Sequence, residues 1–164
     1  MKPTNELTTK NFVFFWNGVF SQWYFSKFTI DGVTYNCCEQ YMMAKKALFF
    51  KDIDAYNAIM GTTSPREQKA FGRGVKNFNT EKWNEVCREF VYQGNLAKFS
   101  QNSKLKAMLM ATKDKELVEA SPYDTIWGIG MGVENPNIEN KEKWLGTNWL
   151  GEAIMRVREE LKEK

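Results

Sequence analysis

The sequence predicts an α+β fold, mainly helical, with a small β element near the N-terminus. Three observations lead there. Apolar residues recur at helical spacing over most of the chain from Cys38 onward, a hairpin signature stands at Asp31-Gly32, and 164 residues fit one domain at roughly 100–200 residues each. The expectation is a single compact multihelical domain over residues 1–164, with an ordered core from about residue 11 to 162.

After a polar start through Lys10, the short apolar run Asn11 to Phe15 reads as a strand. In Phe28 to Tyr35 (FTIDGVTY), β-branched and aromatic residues flank Asp31-Gly32, a pair that tolerates the positive φ of a two-residue hairpin turn. From Cys38 the period changes. Cys38, Tyr41, Met42, Lys45, Leu48 and Phe49 form one stripe at 100° per residue, and Glu39, Met43, Lys46 and Phe50 a second. Apolar residues on both sides predict a helix buried around most of its circumference.

A short helix over Asp54 to Met60 should end at Gly61, and Ser64-Pro65-Arg66-Glu67 has the form of a capping box with proline at the first helical position. Thr80 is the expected cap of the longest helix, whose apolar stripe is Trp83, Val86, Cys87, Phe90, Gly94 and Ala97. Another helix spans Ser103 to Met110, and Leu117 to Met131 reads as strand and loop. The last helix carries Leu150, Ala153, Ile154, Val157 and Leu161 on one face, with Arg156, Arg158, Glu159, Glu160 and Lys162 outside it.

Composition narrows the chemistry. A chain 43% hydrophobic and 26% charged is not disordered. It has no histidine, which excludes Ser-His-Asp and Cys-His catalysis in their usual forms and histidine-based zinc or iron sites. Three cysteines, Cys37, Cys38 and Cys87, make neither a disulfide framework nor a C-x-x-C motif, and read as buried or idle thiols of a reducing cytoplasm. Against 23 basic residues stand 20 acidic ones, so charge alone does not announce nucleic acid. No apolar leader and no membrane span is visible.

Some residues fit a plain core poorly. Glu39 and Lys46 are seven apart, so on a helix they differ by about 20° in direction and ~10 Å in rise, and the lysine leans back toward the glutamate. Either this is a solvated edge, or an acid/base or nucleophilic pair in a dry cleft. Asp124 precedes Trp127 by three in SPYDTIWGIGMG, followed by Gly128, Gly130 and Gly132. The glycines suit close backbone approach to a ligand or merely a tight connection, and the dinucleotide fingerprint fails at Val133. Arg73 between Gly72 and Gly74 suits a bidentate phosphate contact or the closing of a helix. Six tryptophans exceed the needs of a core this size, so one or two could stack on a planar base.

Four blocks in order, GVFSQWYFSKFTIDGVTYNCCEQYMMAKKA, SPREQKAFGRGVKNFNTEKW, KFSQNSKLKAMLMATKDKELVEASPYDTIWGIGM and WLGTNWLGEAIMRVREEL, resemble the NADAR superfamily from about Phe14 to Leu161. The superfamily's name reflects a link to NAD and ADP-ribose, and it includes N-glycosidases of early riboflavin-pathway intermediates. The resemblance implies a NADAR-like fold and an active pocket lined by Glu39, Lys46, Trp83, Asp124 and Trp127. Gly128 joins the substrate-binding set, with Arg73 and Asn148 for phosphate or ribose contacts. Where the family often has histidine after the helix glutamate, this chain has Gln40, which leaves the reaction class standing and loosens the inference of substrate.

The implied activity is hydrolysis of an N-glycosidic bond in a riboflavin-pathway pyrimidine ribosylamine phosphate, or in ADP-ribose carried by a nucleobase such as guanine. Glu39 and Asp124 would face the oxocarbenium-like centre and position water, and Lys46 would supply charge or attack the anomeric carbon. Attack needs a free amine, whereas the neighbouring Glu39 favours the ammonium. No cofactor, metal, membrane or obligate protein partner is implied. The partner is a small ribosyl phosphate or ADP-ribosyl substrate, or ADP-ribosylated nucleic acid. Two other readings are a silent ADP-ribose/NAD-binding module and a single-stranded nucleic-acid binder; the first is disfavoured by the presence of both Glu39 and Lys46, the second by the absence of a basic stripe.

Overall fold

The computed structural model describes residues 6–162, so the first five residues of the polar start lie outside the described residues. In chain order the elements are β1 (Leu7–Thr8), β2 (Phe12–Phe15), β3 (Phe28–Ile30), β4 (Val33–Tyr35), α1 (Cys38–Phe49), α2 (Ile53–Met60), α3 (Pro65–Arg73), α4 (Thr80–Ser100), α5 (Ser103–Met110), β5 (Glu116–Glu119), a 3-10 turn at Lys141–Lys143 and α6 (Trp149–Lys162). They fall into two compact units, a helical unit of residues 25–102 and a sheet unit drawn from the described residues before 25 and after 102.

In the sheet unit β2 is the central strand. It pairs antiparallel with β1 and parallel with β5, in the register Phe12↔Glu116 to Phe15↔Glu119. All four β2 residues are buried, as a strand covered on both faces requires. Phe12 and Phe14 join Val118, Ala120, Ile129, Met131 and Ile138 in one apolar cluster, and Trp144 closes it edge-on at 5.8 Å and 6.5 Å from the two phenylalanines. The apolar face of α6 packs on β5. Arg158, expected outside that face, is instead buried: its Nη1 donates to Thr112 Oγ1 and to the Lys115 carbonyl, both at 2.8 Å. A long guanidinium side chain can cross apolar surface to reach such acceptors, which helical periodicity does not register.

The helical unit follows the sequence closely. Asp31 (φ +51°) and Gly32 (φ +80°) make the two-residue turn between β3 and β4. Helix α1 is buried along most of its length among α2, α3 and α4. Close approach needs small residues: a Cβ on Gly72 of α3 would lie 1.9 Å from Met43 Sδ, and one on Gly94 of α4 would lie 3.0 Å from the Tyr41 ring.

The cap at Ser64 and the stop at Gly61 hold, and the cap of α4 does not. Ser64 Oγ accepts from Glu67 N at 3.3 Å, but the return half of the box runs through Thr62, whose hydroxyl donates to Glu67 and accepts from Ser64 N. Asp52 starts α2 by accepting from Ala55 N, one residue earlier than expected. The cap of α4 is Asn79, not Thr80, because the Asn79 carboxamide reaches Lys82 N at 3.0 Å and draws Thr80 into the helix. All three cysteines are free and buried. Burial pushes the Cys37 thiol to about 11 and the Cys38 thiol to about 12, so both stay protonated and inert at neutral pH. Among the described residues no helix is long and apolar enough to cross a membrane.

Candidate active site

Of the eight residues singled out, Glu39, Lys46, Arg73 and Trp83 lie in the helical unit, and Asp124, Trp127, Gly128 and Asn148 in the sheet unit.

Glu39 stands in the first turn of α1 and Lys46 in the last, each at the helix end that suits its charge. The glutamate is 5% exposed, and the lysine is half-buried with Nζ 4.4 Å from the centre of the Phe78 ring. Burial is the largest influence on Lys46 and lowers its pKa; Glu39 pulls it up and Arg73 pushes it down. The net direction is downward, so desolvation outweighs the glutamate's pull toward the ammonium. Arg73 acts here because Gly72 lets the end of α3 close on Met43, which lies between Glu39 and Lys46 on the same stripe. Neither Gly72 nor Gly74 has a positive φ.

Gln40 has a structural task. Its side chain accepts from Asn36 N and donates to the Ile59 and Thr62 carbonyls, tying the start of α1 to the last turn of α2 and the segment after it. Trp83 is 8% exposed, stacked on Phe90 at 5.9 Å and flanked by Phe49 and Phe50, so its indole belongs to an aromatic wall.

In the sheet unit, Asp124 Oδ1 accepts from both Ile126 N (2.9 Å) and Trp127 N (2.8 Å), which leaves Oδ2 outside these bonds. Residues 125–128 are joined to the start of α6, with Thr147 N, Trp149 N and Leu150 N donating to the Thr125, Ile126 and Trp127 carbonyls and Asn148 N to that of Gly128. Those carbonyls occupy N–H groups that a helix start would otherwise offer to an anion. At Gly128 a Cβ would lie 2.8 Å from the Glu119 carbonyl, so this glycine serves backbone approach within the unit. Asn148 is 4% exposed and has φ +54°; its Oδ1 accepts from Glu119 N and its Nδ2 donates to Leu117 O, both at 3.0 Å. Its amide is thus committed to β5. Trp127 is half-buried and meets Trp149 edge-on at 5.7 Å.

Two neighbours escaped sequence reading. Trp149 was visible only as one tryptophan of six, and Phe78 sits in a loop, where no periodicity points to it.

The sequence model of the NADAR domain matches residues 14–162. The chain belongs to the NADAR family. An N-glycosidase of Acanthamoeba polyphaga mimivirus is 42% identical over 147 residues, covering 87% of this chain and 86% of its own. The riboflavin biosynthesis protein PYRR of Arabidopsis thaliana is 34% identical over 114 residues, which span 67% of this chain and 17% of that protein. The NMR structure of Escherichia coli YbiA superposes with a TM-score of 0.78 at 27% identity, covering 97% of this chain and 89% of YbiA. The α+β, mainly helical class is therefore that of a NADAR fold. The expected reaction class, hydrolysis of an N-glycosyl compound, is the one carried by the names of the mimivirus protein and of Escherichia coli YbiA, both called N-glycosidases.

Proposed function

We propose that this NADAR protein cleaves the N-glycosidic bond of a ribosylated base, either a pyrimidine ribosylamine phosphate of the riboflavin pathway or ADP-ribose on a nucleobase such as guanine. The observation that carries the reading is a buried carboxylate, Glu39, sharing one face of α1 with a half-buried amine, Lys46. Relatives named as N-glycosidases support the reaction class, and one named as a riboflavin biosynthesis protein supports the first of the two substrates. The proposed setting is the cytoplasm, where free thiols such as Cys37, Cys38 and Cys87 persist.

In this mechanism Glu39 stabilises the oxocarbenium-like centre as the bond from the anomeric carbon to nitrogen breaks. Lys46 attacks that carbon as the free amine, the base departs with a proton, and the ring-opened sugar is held as an imine. Water then hydrolyses the imine and restores the lysine. A lowered Lys46 pKa favours this route, because more amine is free near neutrality. Asp124 is the second carboxylate of the proposal, and Arg73 contributes charge toward a phosphate.

The test is to incubate the protein with each candidate and follow free base against ribose phosphate or ADP-ribose, with borohydride added during turnover. A reduced sugar adduct on the Lys46 peptide is expected, lost in Lys46→Ala, with Lys45→Ala as the control. Activity should rise with pH along a limb placed below the ordinary lysine value of 10.5. Release of no base from any candidate would sink the reading.

A further inference from the structure

Phe78 lies between α3 and α4, on a loop held at both sides. Asp52, having capped α2 through Oδ1, accepts from Lys76 N through Oδ2 at 2.9 Å. Asn77 then takes φ +62°, a conformation asparagine tolerates better than most residues, and Asn79 caps α4. The result turns the Phe78 side chain back onto α1. Its ring meets Phe50 edge-on at 5.4 Å and lies under Lys46 Nζ at 4.4 Å, while 43% of the residue remains exposed.

We propose that Phe78 is a positioning residue of this site, its ring face holding the Lys46 nitrogen in place and favouring the ammonium through the ring's negative quadrupole. The inference rests on the reading of Lys46 given above and adds the group that fixes where its nitrogen sits. An ammonium over a ring face within about 6 Å is attracted to it, whereas the neutral amine gains little. Two opposed influences therefore bear on Lys46 besides its charged neighbours: burial, which favours the amine, and Phe78, which favours the ammonium. Glu39 on α1 and Arg73 on α3 are the charged groups that act on it; α2, α4 and β4, also packed on α1, supply none that shifts it among the described residues.

The balance matters because a lysine nucleophile must be free to attack yet regain a proton afterwards, so its pKa is best kept near working pH. Phe50 behind the ring limits its movement, and the tethered loop limits that of the backbone.

The experiment follows the Lys46 Cε resonance against pH in protein carrying ¹³C-labelled lysine, without substrate, in the wild type, Phe78→Leu and Phe78→Trp, with kcat and KM measured in parallel. Phe78→Leu should lower the Lys46 midpoint by about half a pH unit. It should move the matching limb of the kcat profile the same way and, on the plateau above that limb where the amine is free in both proteins, lower kcat several-fold with KM little changed. Phe78→Trp, with a stronger quadrupole, should raise the midpoint above the wild-type value. An unchanged midpoint in Phe78→Leu, with Lys46→Ala inactive, would overturn the inference and leave the site reading intact. A raised KM with unchanged kcat and midpoint would also overturn it, showing that the ring stacks on substrate instead. Full activity of Lys46→Ala would overturn the site reading and the positioning role with it. Should Phe78→Leu fail to fold, an unchanged midpoint in Phe78→Trp decides against the proposal.

Discussion

On α1 the helix starts without a side-chain cap, and what Glu39 and Lys46 lend the element is charge suited to its two ends. In the loop of residues 124–128 the reverse holds: the Asp124 carboxylate satisfies two backbone N–H groups, and Asn148 completes the edge of β5. The difference teaches how far a candidate residue can be trusted from its type alone. A charged side chain on a buried helix face gains only a small helix-end term locally, whereas one in a tight loop usually satisfies the backbone around it.

Four measurements would break or sharpen this contrast. The largest effect is expected from Glu39→Gln, which should fold normally and lose at least about 100-fold in turnover, the scale of one acid/base group. Wild-type turnover with folding intact would remove Glu39 from the chemistry.

Asp124 is the harder case, because one residue has two tasks. Asp124→Asn keeps an oxygen to accept the Ile126 and Trp127 N–H groups but removes the charge. If the carboxylate acts in the reaction, turnover should fall about 100-fold while thermal stability is held, and Asp124→Ala should lose both. Unimpaired turnover of Asp124→Asn would make it a turn residue alone.

Asn148→Ala should do the opposite. It leaves Glu119 N and the Leu117 carbonyl without their side-chain partner, at a cost of about 1–3 kcal/mol. Urea unfolding should show that loss, while activity per folded molecule is retained. A variant of normal stability that no longer turns over would return Asn148 to the substrate contacts that the resemblance implied.

The smallest effect concerns a second helical lysine. Lys98 on α4 is 0% exposed, and its pKa is lowered by burial against the pull of Cys38 and Cys37. Between that lowered value and the ordinary 10.5 the unfolded chain binds the extra proton, so this group's contribution to stability rises with pH. The two thiols act oppositely, but only above about pH 9, where an unfolded thiol loses its proton. As pH rises from that lowered value toward 10.5 the wild type should gain stability relative to Lys98→Met, which shares the two thiols; parallel curves would show that Lys98 does not titrate differently in the two states.

Much of the fold was legible in the sequence because its signals are local. Helical stripes, Ser64 at the start of α3 and Asp31-Gly32 between β3 and β4 specify themselves over a few residues. The same locality made the Glu39–Lys46 pair visible, since seven residues on a helix bring two side chains to one face whatever surrounds them. Arg158 escaped because its partners, Thr112 and Lys115, lie more than 40 positions away. Phe78 escaped because a loop has no period.

The sequence by itself determined the helical and hairpin elements, the lack of histidine chemistry and the order of blocks that marks a NADAR chain. The parallel pairing of β2 with β5, the burial that lowers the Lys46 pKa and the ring beneath its nitrogen were decided only by tertiary structure. The physical reason is the range of the interactions. Backbone geometry and capping act within a turn or two, whereas desolvation and cation–ring contact depend on which distant segments the chain brings to one side chain.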